Sequence, residues 1–129
     1  MTPTKTAMKN KNLSFYKMQA SGNDFVVIDN RRRVIKDATA FAKEVCAAHT
    51  GIGADGVLLL ENSPTADFKM RIVNSDGSEA EACGNGFRCI ALFAHTQLNF
   101  PKRFRFQSLA GPIKAWVNHE HVRVGLPAP

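Results

Sequence analysis

From Leu13 onward the chain alternates apolar and polar residues in short stretches separated by turn-forming clusters. In "LSFYKM", Leu13 and Phe15 alternate with Ser14 and Lys17. After "ASGN" the run "DFVVID" is apolar enough for a second, more buried strand. "NRRR" turns the chain. Asp37 is placed to cap a helix through "ATAFAKEVCAAH", where Phe41, Val45 and Ala48 share a face and Gly51 is placed to end it. "GIGADGVLLLE" is a glycine-rich turn feeding an apolar strand, "NSPTAD" is a loop, and "FKMRIVN" alternates Phe68, Met70 and Ile72 on one side. "SDGS" is turn chemistry.

The run "FRCIALFAHTQL" behaves differently. Phe87, Ile90, Ala91, Ala94 and Leu98 recur at helical spacing, while Cys89, Leu92 and Phe93 fill the remaining faces. A helix apolar most of the way round belongs inside a protein. After Pro101, "RFRFQS", "PIKAWV" and "HVRVGL" predict three more short strands. The order predicts an α+β fold: a strand-rich, barrel-like sheet, mostly antiparallel, wrapped around a central buried helix. "MTPTKTAMKNKN" (residues 1–12) has no such pattern and is expected to be a disordered basic tail, and "GLPAP" reads as a cut linker.

With 129 residues and 44% hydrophobic content, one domain with its own core is expected. No apolar run is long enough for a membrane span, and the start lacks the apolar segment of a secretory signal. Cys46, Cys83 and Cys89 form neither a disulfide framework nor a zinc-like pair of CxxC units, so reduced thiols, a cytoplasmic location and no metal are expected. The formal charge of +6 raises nucleic acid as a partner. The cations are scattered in sequence without a recognition-helix or stacking pattern, so a solvated basic surface and no nucleic-acid partner are the expectation.

Candidate chemistry gathers in "NSDGSEAEACGNGFRC", Asn74 to Cys89. Cys83 falls at the N-terminus of the buried helix, where backbone N–H groups and the helix dipole favour a thiolate. Gly84 and Gly86 leave the first-turn amides open to an anion such as a carboxylate, and Asn85 is a short polar residue tolerant of left-handed geometry. A base beside a carboxylate nest suits removal of a proton from the adjacent carbon; a nucleophilic thiol is the competing use. A buried, inert Cys and a plain Gly-Asn-Gly turn are the ordinary alternative, which residue types alone favour.

The same ordinary explanation, an Asx turn, applies to Asn23 in "SGND" and Asn74 in "VNSDG"; the functional one has both amides facing a ligand at the "CGNG" corner. Asp55 reads as a turn or cap residue. Asp76, Glu79 and Glu81 fit a solvated loop better than a metal cluster, and His95 fits a helix C-terminal cap. Cys46 and Cys89 read as core residues.

Taken together, "KMQASGNDFVVID", "HTGIGADGVLLL" and "RIVNSDGSEAEACGNGFRC" closely resemble the first half of diaminopimelate epimerase, from about Leu13 to Pro127. The resemblance implies a cofactor-independent epimerase that interconverts LL- and meso-2,6-diaminopimelate in bacterial lysine and peptidoglycan synthesis. Two thiols flank the α-carbon, and Cys83 matches the first-half one. Gly84 and Asn85 match positions whose backbone holds the α-carboxylate, while Asn23 and Asn74 match substrate-binding asparagines. The implied fold is two similar halves, each a barrel around a helix, with the substrate between them. On this resemblance Cys83 is catalytic rather than inert.

The sequence departs from the family in places. Some members carry a substrate-touching Gln where Gly56 stands, "ASGN" replaces "GLGN", and Ser75 replaces an Ala. The second cysteine, a Glu-Arg pair and a second glycine nest belong to a C-terminal half that is absent here, so the 129-residue chain is expected to be inactive alone. A homodimer of two such halves, each offering Cys83, is a further expectation. A racemase of the same fold with another amino-acid substrate and a non-catalytic basic binding module are the alternatives.

Overall fold

A computed structural model describes residues 4–8, 13–47 and 53–125. Its strands are β1 (Thr4–Met8), β2 (Leu13–Ala20), β3 (Asn23–Asp29), β4 (Gly56–Glu61), β5 (Phe68–Asn74), β6 (Glu79–Ala80), β7 (Arg103–Ser108), β8 (Gly111–Asn118) and β9 (His121–Gly125). Two helices interrupt them, α1 (Ala38–Cys46) between β3 and β4 and α2 (Gly84–Leu98) between β6 and β7. The strands form one sheet in the order β1-β2-β3-β4-β5-β7-β8-β9, with β6 paired to β5 off that path.

Six of the pairings are antiparallel; β3–β4 and β5–β7 are parallel, and a helix connects each of those two pairs. Both crossovers step the same way across the sheet, but β5 runs opposite to β4. The right-handed rule for such crossovers then sends the two helices to opposite faces. The core divides accordingly. Val26, Ile28, Val57, Leu59 and Val73 pack with Phe41 and Val45 of α1, while their alternating neighbours Phe25, Val27, Leu58, Leu60 and Ile72 pack with α2. Burial on both faces is why "DFVVID" and "GVLLLE" read as apolar runs rather than alternating strands.

α2 is enclosed as its composition predicts: Phe87 and every residue from Cys89 to Ala94 are buried. The sheet curls round it until both flanks touch it. Tyr16 of β2 meets Phe93 edge-on at 5.2 Å, and Phe87 meets Phe106 of β7 at 5.9 Å. This is a half-barrel, in agreement with the α+β expectation. The helix stops at Asn99, in left-handed geometry (φ 61°), with Phe100 N–H bonded to Ala94 O at 3.1 Å and His95 Nδ1 2.7 Å from Phe100 O, the capping role read from sequence.

The β5–β7 seam is the shortest parallel contact, with only Phe68↔Phe106 and Lys69↔Gln107 in register. Aromatic packing reinforces it. Phe68 lies flat on Phe106, centroids 5.0 Å apart, and meets Phe100 edge-on at 5.3 Å.

Two expectations need correction. Thr4–Met8 is a strand paired to β2 in the register Thr4↔Lys17 to Met8↔Leu13, so the 1–12 segment is not wholly a disordered tail; residues 1–3 and 9–12 lie outside the described residues. A free edge on β2 offers backbone partners that no side-chain pattern announces. The first helix also ends at Cys46, with Ala47 extended (ψ 130°), rather than continuing to Gly51; Ala48 and Gly51 lie outside the described residues.

If the Phe68 stack holds the seam, Phe68→Ala should cost about 3–5 kcal/mol in denaturant unfolding. Phe68→Ala with Phe106→Ala should cost less than the sum of the two single changes.

Candidate functional site

The enclosed helix fixes where its N-terminus emerges. Cys83 is the N-cap residue of α2, in extended geometry (φ −157°, ψ 107°). Its Sγ accepts from Gly86 N–H at 3.4 Å and its carbonyl from Phe87 N–H at 2.8 Å, so the thiol stands where a Ser or Asp cap usually does. Cys83 is half-buried at the rim and Gly84 beside it is exposed. The backbone N–H groups of Gly84 and Asn85 carry no hydrogen bond among the described residues. A Cβ on Gly86 would lie 3.3 Å from Leu58 Cδ2 and 3.7 Å from Cys83 Sγ, pressing into the space that the thiol occupies. On Gly84 it would meet only Arg88 Nη1, at 3.7 Å. The two glycines thus differ: Gly86 makes room for the sulfur, and Gly84 keeps the approach to the amides open.

The other two cysteines are unlike Cys83. Cys46 is 7% exposed, and burial, with the nearby Asp55 charge second, pushes its thiol upward. Cys89 is fully enclosed, and burial, with Cys83 second, pushes it up to about 12. Both are core residues, as expected.

Asn23 opens β3 after the two-residue turn Ser21–Gly22, where φ is 50° and 89°. Positive φ at both positions is the hairpin geometry that matches strand twist, which explains the glycine. Counting from Phe25 and Val27, Asn23 points to the α2 face, and there its Oδ1 accepts from Asn85 Nδ2 at 2.8 Å. Asn85 Oδ1 in turn accepts from Arg88 Nη2. Cys83, Asn85 and Asn23 are therefore brought together, and Arg88 joins them.

Asn74 lies at the same end of the sheet and on the same face, in the cross-strand row Phe25↔Gly56↔Asn74. Its amide, however, donates to Ser78 Oγ at 3.1 Å, and its backbone closes the Ser75–Ser78 turn through Gly77 N–H at 2.9 Å. Asn74 therefore holds the turn through its backbone and its NH2 group rather than as an Asx turn, whose acceptor here is Asp76, while Asn23 makes a long-range contact. Gly56 between them is tightly placed, since a Cβ there would stand 3.0 Å from Val73 O.

The acidic residues settle into structural roles. Asp55 Oδ2 accepts from Asp24 N–H at 2.7 Å, clamping the starts of β3 and β4 together. Asp76 Oδ1 accepts from the Ser78 N–H (2.9 Å) and hydroxyl (2.6 Å); Glu79 pairs with Arg71, and Glu81 is exposed.

Sequence reasoning missed Arg88, which lies within the Asn74–Cys89 block but received no role there, and it missed a basic face. On the outer side of β7–β9, Trp116 lies in register between Arg103 and Arg123, with Arg123 Cζ 5.7 Å from the ring centroid, and Arg105 stands opposite Lys114. A cavity of about 430 Å³ opens there, lined by Lys102, Arg103, Trp116, Asn118, His121 and Arg123; Cys83 does not line it. Cations scattered in sequence are gathered by the hairpins.

Comparison with known proteins supplies the context. The chain is 47% identical to diaminopimelate epimerase of Aquifex aeolicus (91% of this chain, 46% of the relative) and 48% identical to that of Carboxydothermus hydrogenoformans (91% and 44%). The Campylobacter jejuni enzyme is 44% identical (88% and 45%). The chain thus spans a little under half the length of these curated relatives. Among solved structures it resembles in fold a putative PhzC/PhzF phenazine biosynthesis protein of Clostridium difficile (TM-score 0.64, 15% identity, 81% of this chain and 40% of that one). A hydroxyproline epimerase of Agrobacterium vitis with bound trans-4-hydroxy-L-proline is a second such neighbour (TM-score 0.56, 14% identity, 88% and 39%). The family model for diaminopimelate epimerase matches residues 15–127. The chain belongs to the diaminopimelate epimerase family.

Proposed function

We propose that this chain supplies one of the two acid/base thiols of an epimerase that interconverts LL- and meso-2,6-diaminopimelate without a cofactor. Cys83 moves the proton at the α-carbon from one side. A second half, with its own thiol, serves the opposite side. One observation carries the reading: a half-exposed thiol caps the N-terminus of an enclosed helix beside two unbonded N–H groups.

The chemistry follows from that corner. A carboxylate docked on the Gly84 and Asn85 N–H groups lies at the positive end of α2, so its charge is compensated without a cation. The α-carbon then stands beside the sulfur. As the thiolate takes the proton, electron density moves into the carboxylate, and donors already aimed at its oxygens stabilise what develops. Asn23 and Asn74, on the same face, hold the rest of the amino-acid head, Asn74 after its amide leaves Ser78. A thiol that must stay reduced suits a cytoplasm. One thiol and one nest serve one side of a carbon only, so the chain alone turns over no substrate.

A racemase acting on another amino acid would use the same corner. It differs from the first reading in what holds the distal end, and a panel of single-centre amino acids assayed beside LL-diaminopimelate separates them. A second reading, binding of single-stranded nucleic acid, is favoured by the Trp116 face, because a ring between two guanidinium groups offers a stacking surface within a cationic strip.

Three outcomes are expected. Iodoacetamide at pH 8, followed by peptide mass spectrometry, should modify Cys83 roughly tenfold or more faster than Cys46 or Cys89, because only thiolates react and the buried pair remain protonated. Equal rates would mean that Cys83 is no more reactive than the two core thiols. A chimera carrying this chain joined to the second half of the Aquifex aeolicus relative should interconvert LL- and meso-diaminopimelate. Cys83→Ala should lower its turnover by roughly 10²- to 10⁴-fold; an active chimera indifferent to that change would refute the role of Cys83. Single-stranded DNA should retain the chain only if the second reading holds, with retention falling steeply in salt and in Trp116→Ala.

A further inference from the structure

We infer that Arg88 is a positioning residue that fixes the polarity of the asparagine pair, so that Asn23 presents its NH2 group, and not its carbonyl, to a carboxylate beside Cys83. This deepens the carboxylate-docking reading above and rests on it.

An asparagine amide has a donor end and an acceptor end, and a half-turn of the side chain exchanges them at little steric cost. Two asparagines facing each other can therefore adopt either polarity. A guanidinium group has donors only. Arg88 Nη2 donates to Asn85 Oδ1, which pins that oxygen away from Asn23. Asn85 Nδ2 is left facing β3, and it donates to Asn23 Oδ1 at 2.8 Å. With its oxygen engaged, Asn23 has only Nδ2 to offer, and that group has no partner among the described residues. The direction set at Arg88 thus passes through two side chains to the mouth of the site.

The consequence is a stretch of rim beside Cys83 with three donors: Asn23 Nδ2 and the Gly84 and Asn85 N–H groups. Such a rim accepts a carboxylate, whereas an amide or ester in that place brings less charge and fewer acceptor lone pairs. The placement of Arg88 is itself a sign of demand. The position of its Nη1 relative to Gly84 shows that the guanidinium lies over the first turn of α2, the positive end, where a cation is disfavoured. Among the described residues it makes no ion pair that would compensate. Its bond to Asn85 is what the arrangement gains.

The test uses the chain itself and two alkylating agents of similar size, iodoacetate and iodoacetamide, of which only the first carries a carboxylate. The readout is the ratio of their rates at Cys83, measured in 0.5 M salt to screen bare charge. The wild-type ratio should exceed that of free cysteine. Arg88→Gln, which can donate or accept, should lower it by about tenfold, the worth of a hydrogen bond to a charged group. Asn85→Ala, which keeps the cation but cuts the relay, should lower it as far. Continued protection of Cys46 and Cys89 in the same samples reports an intact fold, and Asn85→Ala carries the test if Arg88→Gln exposes them. If Asn85→Ala retains the wild-type ratio, Arg88 acts by charge or not at all, and the relay is refuted. If the wild-type chain shows no preference over free cysteine, the carboxylate nest fails, and the proposed function with it.

Discussion

The arrangement depends on the burial of α2. A helix apolar on nearly every face cannot sit on a sheet as an amphipathic helix does, because its far side would remain in water. The sheet solves this by curling until β2 and β7–β9 reach that side. Enclosure leaves the helix only its ends for contact with solvent. The C-terminal end is closed by Asn99, Phe100 and His95. The N-terminal end, with its unpaired N–H groups, opens at the rim, and there the chain carries Cys-Gly-Asn-Gly. The same burial that drives folding therefore presents a fixed positive pole to whatever binds.

The two crossovers determine which residues share that rim. Because the strand direction reverses between β4 and β5, the start of β3, the start of β4 and the end of β5 lie at one end of the sheet. Asn23, Gly56 and Asn74 occupy those three positions on the α2 face. Residues as far as 51 apart in sequence are thereby set at one end and on one face of the sheet by strand register. Rigid strands and an enclosed helix locate groups more narrowly than loops can.

Much of this was legible in the sequence, for identifiable reasons. The periodicity of Phe87 to Leu98 specified a buried helix, and alternation specified β5 and the three strands after Pro101. Cys83 was placed at the N-terminus of that helix because it stands directly before glycines and an apolar run. Features created by pairing were not legible. Thr4–Met8 becomes a strand because β2 offers an edge. Helix α1 ends early for no reason that its composition carries. The contacts Asn23–Asn85 and Asp24–Asp55 cross 62 and 31 residues, so local turn chemistry could not announce them. The Trp116 strip was hidden likewise, since its three members sit on three strands.

Gly56 shows how a departure from the family bears on geometry. The resemblance sets a Gln at this position in some members, so the simplest account is one lost contact. The strands argue for more. With a Cβ position only 3.0 Å from Val73 O, β4 and β5 approach here more closely than a side chain allows without a shift of backbone. Gly56 lies in register with Asn74, so any shift that admitted a Gln would also move the residue that stands at the rim. The glycine and the position of Asn74 are thus one structural choice. A Cβ at Gly56 would also stand 3.8 Å from Asn74 Cα and from Phe25 Cδ1, so the glycine is what lets these three positions close up at that end of the sheet.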